Sequence, residues 1–202
     1  MNNSYTISSS KVAKVFIIWL LIAIAAGASG VLASLVPPIP QLILLGLVLV
    51  LLAAFWLSSK LKAWCLGIDL KVFMLFYLVR FVGIYFLILY SEGRLPYDFA
   101  VPGGWGDIVT AAFALVLILF VPASGKTGWS IYFLWNLLGL IDILFVVATA
   151  GRLAMAAPES MGELLKLPLS LLPTFIVPII IYIHIVIFLR LYNSKKKGYG
   201  II

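Results

Sequence analysis

The stretch Val72–Tyr90, VFMLFYLVRFVGIYFLILY, contains one charged residue, Arg80. A transmembrane helix needs about 20 apolar residues, each adding 1.5 Å along the axis, so this stretch predicts a membrane-spanning helix. The whole chain has the same character, since 64% of its 202 residues are hydrophobic and 10% are charged. A soluble domain of this size would lack the polar residues needed to cover its surface. Soluble enzyme folds, disordered tails and nucleic-acid-binding domains are therefore excluded.

Six apolar stretches predict an all-α membrane protein, in which residues 1–202 form a single integral membrane domain of six transmembrane helices. The predicted spans cover about residues 15–36, 41–57, 72–90, 106–121, 128–150 and 169–192, with an external loop at 91–105. With a cytoplasmic N-terminus, ten Lys and Arg residues lie inside and three outside, while Arg80 lies in the membrane. The positive-inside rule therefore predicts an N-in/C-in bundle.

Few side chains are available for a cofactor or for catalysis. The chain has one cysteine, Cys65, and one histidine, His184, which excludes a Cys/His zinc site or a bis-histidine haem within one chain. No nucleophile with a nearby base, no pair of catalytic carboxylates and no HExxH motif is recognisable. We therefore expect no metal, no cofactor and no catalytic residue, and the sequence does not favour an enzyme.

Polar residues inside the predicted spans are the strongest functional signal. They are Arg80, Asn136, Asp142 and His184, with Asp107 at the start of the fourth span. An ionisable side chain costs about 2.5–3.5 kcal/mol at the centre of a bilayer, so such residues face the bundle interior or a water-filled cavity. Arg80 has a long side chain and can reach Asp142 along the helix axis. We expect an Arg80–Asp142 ion pair between the third, fifth and sixth spans, with hydrogen bonds from Asn136 or His184.

Two interpretations of these polar residues stay open at this point. They either line a pathway for a ligand or ion, or they only fix the packing of the helices. For His184, an architectural role would be a hydrogen bond to a backbone carbonyl that a proline such as Pro178 leaves without its helical donor.

The predicted external loop at 91–105 is rich in glycine, proline and aromatic residues. Long ordered loops are often functional, so Glu92, Arg94, Asp98 and Trp105 are candidates for an external lid. Asp107 follows this loop directly and is expected to cap the N-terminus of the fourth span. The alternative is that Asp107 faces a cavity above Asp142.

Several motifs in the chain resemble those of small uncharacterised bacterial integral membrane proteins. They are Arg80-x-x-Gly83-x-x-Phe86-Leu87, Gly93-x-Leu95-Pro96-x-x-Phe99-Ala100-x-Pro102, Gly106-Asp107, Trp135-Asn136-x-x-Gly139-x-x-Asp142 and Leu172-Pro173-x-Phe175-x-Val177-Pro178 followed by His184. The resemblance covers about residues 72–190. It implies a multi-pass protein of a bacterial inner membrane and implies no activity.

Three functional hypotheses follow from the sequence. The first is binding or passage of a small solute or ion, with Arg80 and Asp142 as a switchable pair and His184 as a proton carrier. A chain this short would then be expected to work as a homo-oligomer. The second is a non-catalytic scaffold or complex subunit. The third is an electron-transfer subunit that uses His184 to hold a haem or contacts a quinone. The lipid bilayer is the expected partner, and no nucleic acid is.

Overall fold

A computed structural model describes residues 7–200, and all regular secondary structure in this range is helical. The α-helices are α1 Ser9–Ala28, α2 Ile39–Leu57, α3 Ser59–Gly67, α4 Leu70–Phe76, α5 Gly83–Ser91, α6 Tyr97–Phe120, α7 Gly125–Ala156 and α8 Val177–Lys196. Short 3-10 helices cover Val31–Ser34, Tyr77–Val82 and Pro158–Leu165, and a π-helical turn covers Leu172–Ile176.

Within residues 7–200, six helical segments are long and apolar enough to cross a membrane. Two of them are composite: α4, the 3-10 helix Tyr77–Val82 and α5 run on as Leu70–Ser91, and the π-helical turn joins α8 as Leu172–Lys196. The other four are α1, α2, α6 and α7. The predicted all-α fold with six candidate spans is confirmed.

Polar side chains mark the points where three helices begin. Ser8 precedes α1, Ser58 precedes α3 and Asp69 precedes α4, and each side chain accepts a hydrogen bond from a backbone amide of the first turn. These amides have no acceptor within the helix, so a side-chain oxygen at the N-cap stabilises the start. The short helix α3 therefore begins at Ser59, with Ser58 as the single residue between it and α2.

The fourth span begins earlier than the sequence predicts. Helix α6 starts at Tyr97, so most of the predicted loop at 91–105 is helical, and Asp107 is the eleventh residue of α6 instead of its N-cap. Glycine and proline signal turns in water-soluble chains. In membrane helices they are tolerated, because glycine lets neighbouring backbones approach closely and proline is accommodated by local adjustment. The loop and N-cap predictions were wrong for this reason.

The described residues form two compact units. The first unit contains residues up to 68 and residues 153–182, which include α1, α2, α3 and the start of α8. In this unit Trp19 of α1 bonds to the π-helical turn that precedes α8: its indole Nε1 donates to the Thr174 carbonyl over 3.0 Å. Pro178 has no N–H with which to bond this carbonyl, so Trp19 supplies the donor that the helix lacks.

The second unit contains residues 69–152 and the residues from 183 onward. Helix α7 binds its neighbours through three aromatic donors at intervals of three residues. Trp129 Nε1 donates to the Leu191 carbonyl over 2.8 Å, the Tyr132 hydroxyl to that of Leu117 over 3.3 Å, and Trp135 Nε1 to that of Thr110 over 3.1 Å. These bonds join α7 to α6 and to the C-terminal part of α8.

Candidate functional site

Arg80 lies in the 3-10 helix Tyr77–Val82 and is 1% exposed. Its Nε donates to Asp107 Oδ1 on α6 over 2.5 Å. One terminal nitrogen donates to the Gly139 carbonyl on α7 over 3.1 Å, and the other donates to Asp142 Oδ2, also on α7. We call Arg80, Asp107 and Asp142 the ionic cluster. It joins the third, fourth and fifth candidate spans through one side chain.

The ionic cluster holds two carboxylates and one guanidinium. The Asp107 side chain is 5% exposed, whereas that of Asp142 is 20% exposed. With both carboxylates ionised the cluster carries a net negative charge, which is costly in a hydrocarbon environment. A proton or a bound cation removes this charge. The less buried carboxylate, that of Asp142, is the one better placed to exchange either.

Glycines let the ionic cluster form. A Cβ at Gly106 would collide with the Asp142 carboxylate, and a Cβ at Gly83 would collide with the Gly104 carbonyl. Only a residue without a side chain permits this approach between α5 and α6 and between α6 and α7. Gly83 and Gly106 therefore let the helices come close enough for Arg80 to reach both aspartates.

A second polar group surrounds His184, on the part of α8 that belongs to the second unit. His184 Nδ1 lies 2.9 Å from Asn136 Oδ1, and Asn136 Nδ2 donates to the His184 carbonyl over 3.1 Å. Both residues are fully buried. Because the amide nitrogen is engaged with a carbonyl, the amide oxygen faces the imidazole and accepts a hydrogen bond from Nδ1. Asn136 thereby fixes both the orientation and the tautomer of His184.

Aromatic rings enclose this imidazole. The Tyr77 ring meets it edge-on with a centroid distance of 4.8 Å, and the Trp135 ring lies 6.1 Å away. We call His184, Asn136, Tyr77 and Trp135 the histidine cluster. Two of its buried polar atoms, His184 Nε2 and the Tyr77 hydroxyl, have no hydrogen-bond partner among residues 7–200.

Gly139 lies between the two clusters. Its carbonyl accepts a hydrogen bond from Arg80, and a Cβ on it would lie 2.9 Å from His184 Cε1. The backbone of α7 at this residue therefore contacts the imidazole on one side and the guanidinium on the other. The ionic cluster and the histidine cluster are neighbours within the second unit.

The predicted Arg80–Asp142 ion pair is present, but the further partners of Arg80 differ from the prediction. Asp107 and the Gly139 carbonyl bind Arg80, while Asn136 and His184 bind each other. The sequence did not predict the Arg80–Asp107 bond, because Asp107 was expected to cap the N-terminus of a helix. The suggested bond from His184 to a carbonyl freed by proline is also wrong, since Nδ1 bonds the Asn136 side chain.

The four lid candidates do not belong to one loop. Glu92 and Arg94 lie in the short connection before α6 and form an exposed ion pair of 2.9 Å. Asp98 lies in the first turn of α6, 3.4 Å from Arg152, and Trp105 is an exposed residue within α6. The early start of α6 separates these residues, so the predicted continuous lid is not formed.

Tyr77, Thr110 and Gly106 contribute to the site although the sequence had not marked them as site residues. Tyr77 lies three residues before Arg80, and residues three apart share a helix face. This spacing was a usable signal. The contribution of Thr110 is a backbone carbonyl that accepts from Trp135, which no side-chain pattern reveals.

In the described part of the chain, no three His, Cys, Asp or Glu side chains are grouped as metal ligands. The ionic cluster supplies two carboxylates and a competing guanidinium, which is a poor ligand set for a divalent metal. Its chemistry fits the exchange of a proton or of a weakly held small ion.

Six apolar helical segments together with buried polar clusters indicate a multi-pass membrane protein. The chain belongs to the family defined by a domain of unknown function, DUF8737, which matches residues 37–192. This region contains both clusters, and the match agrees with the resemblance to an uncharacterised family. No curated protein and no solved structure matches the chain.

Proposed function

We propose that this protein binds or passes a small solute or ion across a bacterial inner membrane, with the ionic cluster as its binding site. The observation that carries the proposal is that one buried guanidinium faces two carboxylates, one of them partly exposed. Such groups inside a membrane are costly and are typical of ion and substrate pathways. The surplus of negative charge favours a cation as the bound species, and the proton is the smallest.

The geometry supports a simple exchange step. A cation or proton that binds Asp142 weakens the bond between this carboxylate and Arg80. Arg80 keeps Asp107 and the Gly139 carbonyl as partners, so the guanidinium is not left unpaired. Asp142 can therefore change its charge state while the rest of the cluster remains bonded.

The function requires a defined orientation in the membrane. We propose that both termini are cytoplasmic, because this arrangement places ten basic residues inside and three outside. Cysteines introduced at the exposed residues Glu92 and Lys196 test the proposal. In intact spheroplasts, a membrane-impermeant maleimide should label Glu92→Cys at once and Lys196→Cys only after lysis. The opposite pattern would reverse the orientation.

Ion passage is tested with the full chain in liposomes. A dye trapped inside reports the internal pH after a proton gradient is imposed, and a potassium gradient with a potassium dye forms a second arm. We expect the wild type to dissipate one gradient and Asp142→Asn to lose this flux. Asp98→Asn is the matched control, because Asp98 is exposed and lies outside the ionic cluster. A wild-type flux equal to that of protein-free liposomes in both arms would rule out passage of these ions.

A scaffold role is the second candidate, and one observation favours it. All three guanidinium nitrogens of Arg80 have hydrogen-bond partners, on two neighbouring helices. A side chain bonded in this way fixes helix register without any ligand. Under this alternative, the neutral triple variant Arg80→Met, Asp107→Asn, Asp142→Asn keeps its folded state and its cellular phenotype. Under the pathway proposal, it loses the phenotype.

The number of chains that act together is part of the proposal. A chain of 202 residues is small for a transporter, so we propose a homo-oligomer. Light scattering on the detergent-solubilised protein measures its mass directly. The electron-transfer hypothesis is not proposed, because no contact among the described residues favours it.

A further inference from the structure

We propose that His184 Nε2 and the Tyr77 hydroxyl together bind one small hydrogen-bonding molecule, a water molecule in the resting protein. The site belongs to the histidine cluster and is distinct from the ionic cluster. It does not depend on ion passage, because it follows from the hydrogen-bonding needs of two buried atoms.

The first step concerns the tautomer of His184. Asn136 Nδ2 donates to the His184 carbonyl, so Asn136 Oδ1 is left to accept from the imidazole. A neutral imidazole carries one proton, and Asn136 holds it on Nδ1. Nε2 is consequently a bare acceptor, and the structure gives it no partner in residues 7–200 although the residue is fully buried.

The second step concerns Tyr77. Its hydroxyl is fully buried and likewise has no partner within the described chain. The Tyr77 and His184 rings are in T-shaped contact with centroids 4.8 Å apart, so the unpartnered donor and the unpartnered acceptor belong to two rings in direct contact. A buried polar group without a hydrogen bond costs about 1–3 kcal/mol. One bridging water satisfies both atoms at little entropic cost.

The third step concerns Gly139, which packs against the imidazole and connects it to the ionic cluster. Gly139 faces the imidazole edge, and a Cβ at this residue would lie 2.9 Å from His184 Cε1, 3.5 Å from Nε2 and 3.1 Å from Thr110 Cγ2. Glycine therefore lets the α7 backbone pack directly against this edge of the imidazole. The Gly139 carbonyl also binds Arg80, so a molecule held by Nε2 would extend the polar region of the ionic cluster toward α8.

The chain has a single histidine, which makes the site directly observable. Protein labelled with ¹⁵N-histidine in nanodiscs gives nuclear magnetic resonance signals from His184 alone. We expect a proton on Nδ1, none on Nε2, and magnetisation transfer from water to the imidazole. A proton on Nε2, or an imidazole that receives nothing from water, would overturn the proposal from the wild type alone.

Variants then locate the bound molecule. Tyr77→Phe keeps the ring contact and removes the hydroxyl, so the transfer from water should fall about threefold or more while Nδ1 stays protonated. Gly139→Ala should reduce it similarly, because the added methyl group would collide with the imidazole and displace Nε2 from the Tyr77 hydroxyl. Tyr90→Phe is the matched control, as Tyr90 is an exposed tyrosine of the same span. Equal transfer in the wild type and in both site variants would contradict the assignment.

Discussion

The two units differ in the kind of polar side chain that they bury. In the first unit, the buried polar residues among those described are Ser170 and Thr174, both neutral. The second unit buries Arg80, Asp107, Asn136, His184 and Arg190, besides hydroxyl side chains. Both units consist of apolar helices, so overall hydrophobicity does not explain the difference.

The partners of these residues show what the difference means. In the first unit, Thr174 Oγ1 donates to the Ser170 carbonyl over 2.6 Å and Trp19 donates to the Thr174 carbonyl, so polar side chains complete the hydrogen bonding of the backbone. In the second unit, charged side chains bind one another across helices, whereas the buried Cys65–Tyr182 contact of 3.0 Å in the first unit joins neutral groups. Charged groups are costly to bury and are unnecessary for packing apolar helices. This contrast supports our proposal that the functional site lies in the second unit.

The strongest test of this comparison is Arg80→Ala. The substitution leaves the Asp107 and Asp142 carboxylates without a counter-charge, and breaking a buried ion pair costs about 3–5 kcal/mol. We expect a loss of this size in the free energy of unfolding, measured by denaturant titration in bicelles. The control is Arg152→Ala in the same unit, whose pair with Asp98 is exposed and contributes about 1 kcal/mol or less. Equal losses in both variants would remove the distinction between buried and exposed pairs.

The sequence predicts the spans and the ionisable residues within them, because the hydrocarbon core of a bilayer accommodates long apolar helices and penalises buried charge. Length and apolarity identify a span, and the cost of burying charge identifies Arg80 and Asp142 as partners. The rotation of each helix and the close approach of its neighbours depend on tertiary packing, which one sequence does not reveal. This is why Asp107 was expected to be an N-cap and why Asn136 or His184 was expected to bond to the Arg80–Asp142 pair.

Close approach of helices is tested by Gly106→Ala. Its Cβ would overlap the Asp142 carboxylate, so either α6 or the ionic cluster has to shift. Overpacking of this kind costs about 1–3 kcal/mol, and we expect any ion flux to fall together with the unfolding free energy.

Gly46→Ala in α2 is the counterpart in the first unit, because no atom lies within 4 Å of its added Cβ. It should stabilise the protein by about 0.5–1 kcal/mol through helix propensity. Stabilisation by both substitutions would show that glycine packing does not support the site.

The smallest effects come from two tryptophans that donate to backbone carbonyls, one in each unit. Trp19→Phe removes the bond to the Thr174 carbonyl, and Pro178, four residues later, has no N–H to replace it, so we expect a loss of about 1–2 kcal/mol. Trp135→Phe removes the bond to the Thr110 carbonyl, which keeps its helical donor, and should cost about 0.6 kcal/mol. Trp135 also lies beside His184, so this variant alone should shift the imidazole resonances. A larger stability loss for Trp135→Phe than for Trp19→Phe would mean that the second unit depends on its neutral bonds as well, and that its charged groups alone do not distinguish it.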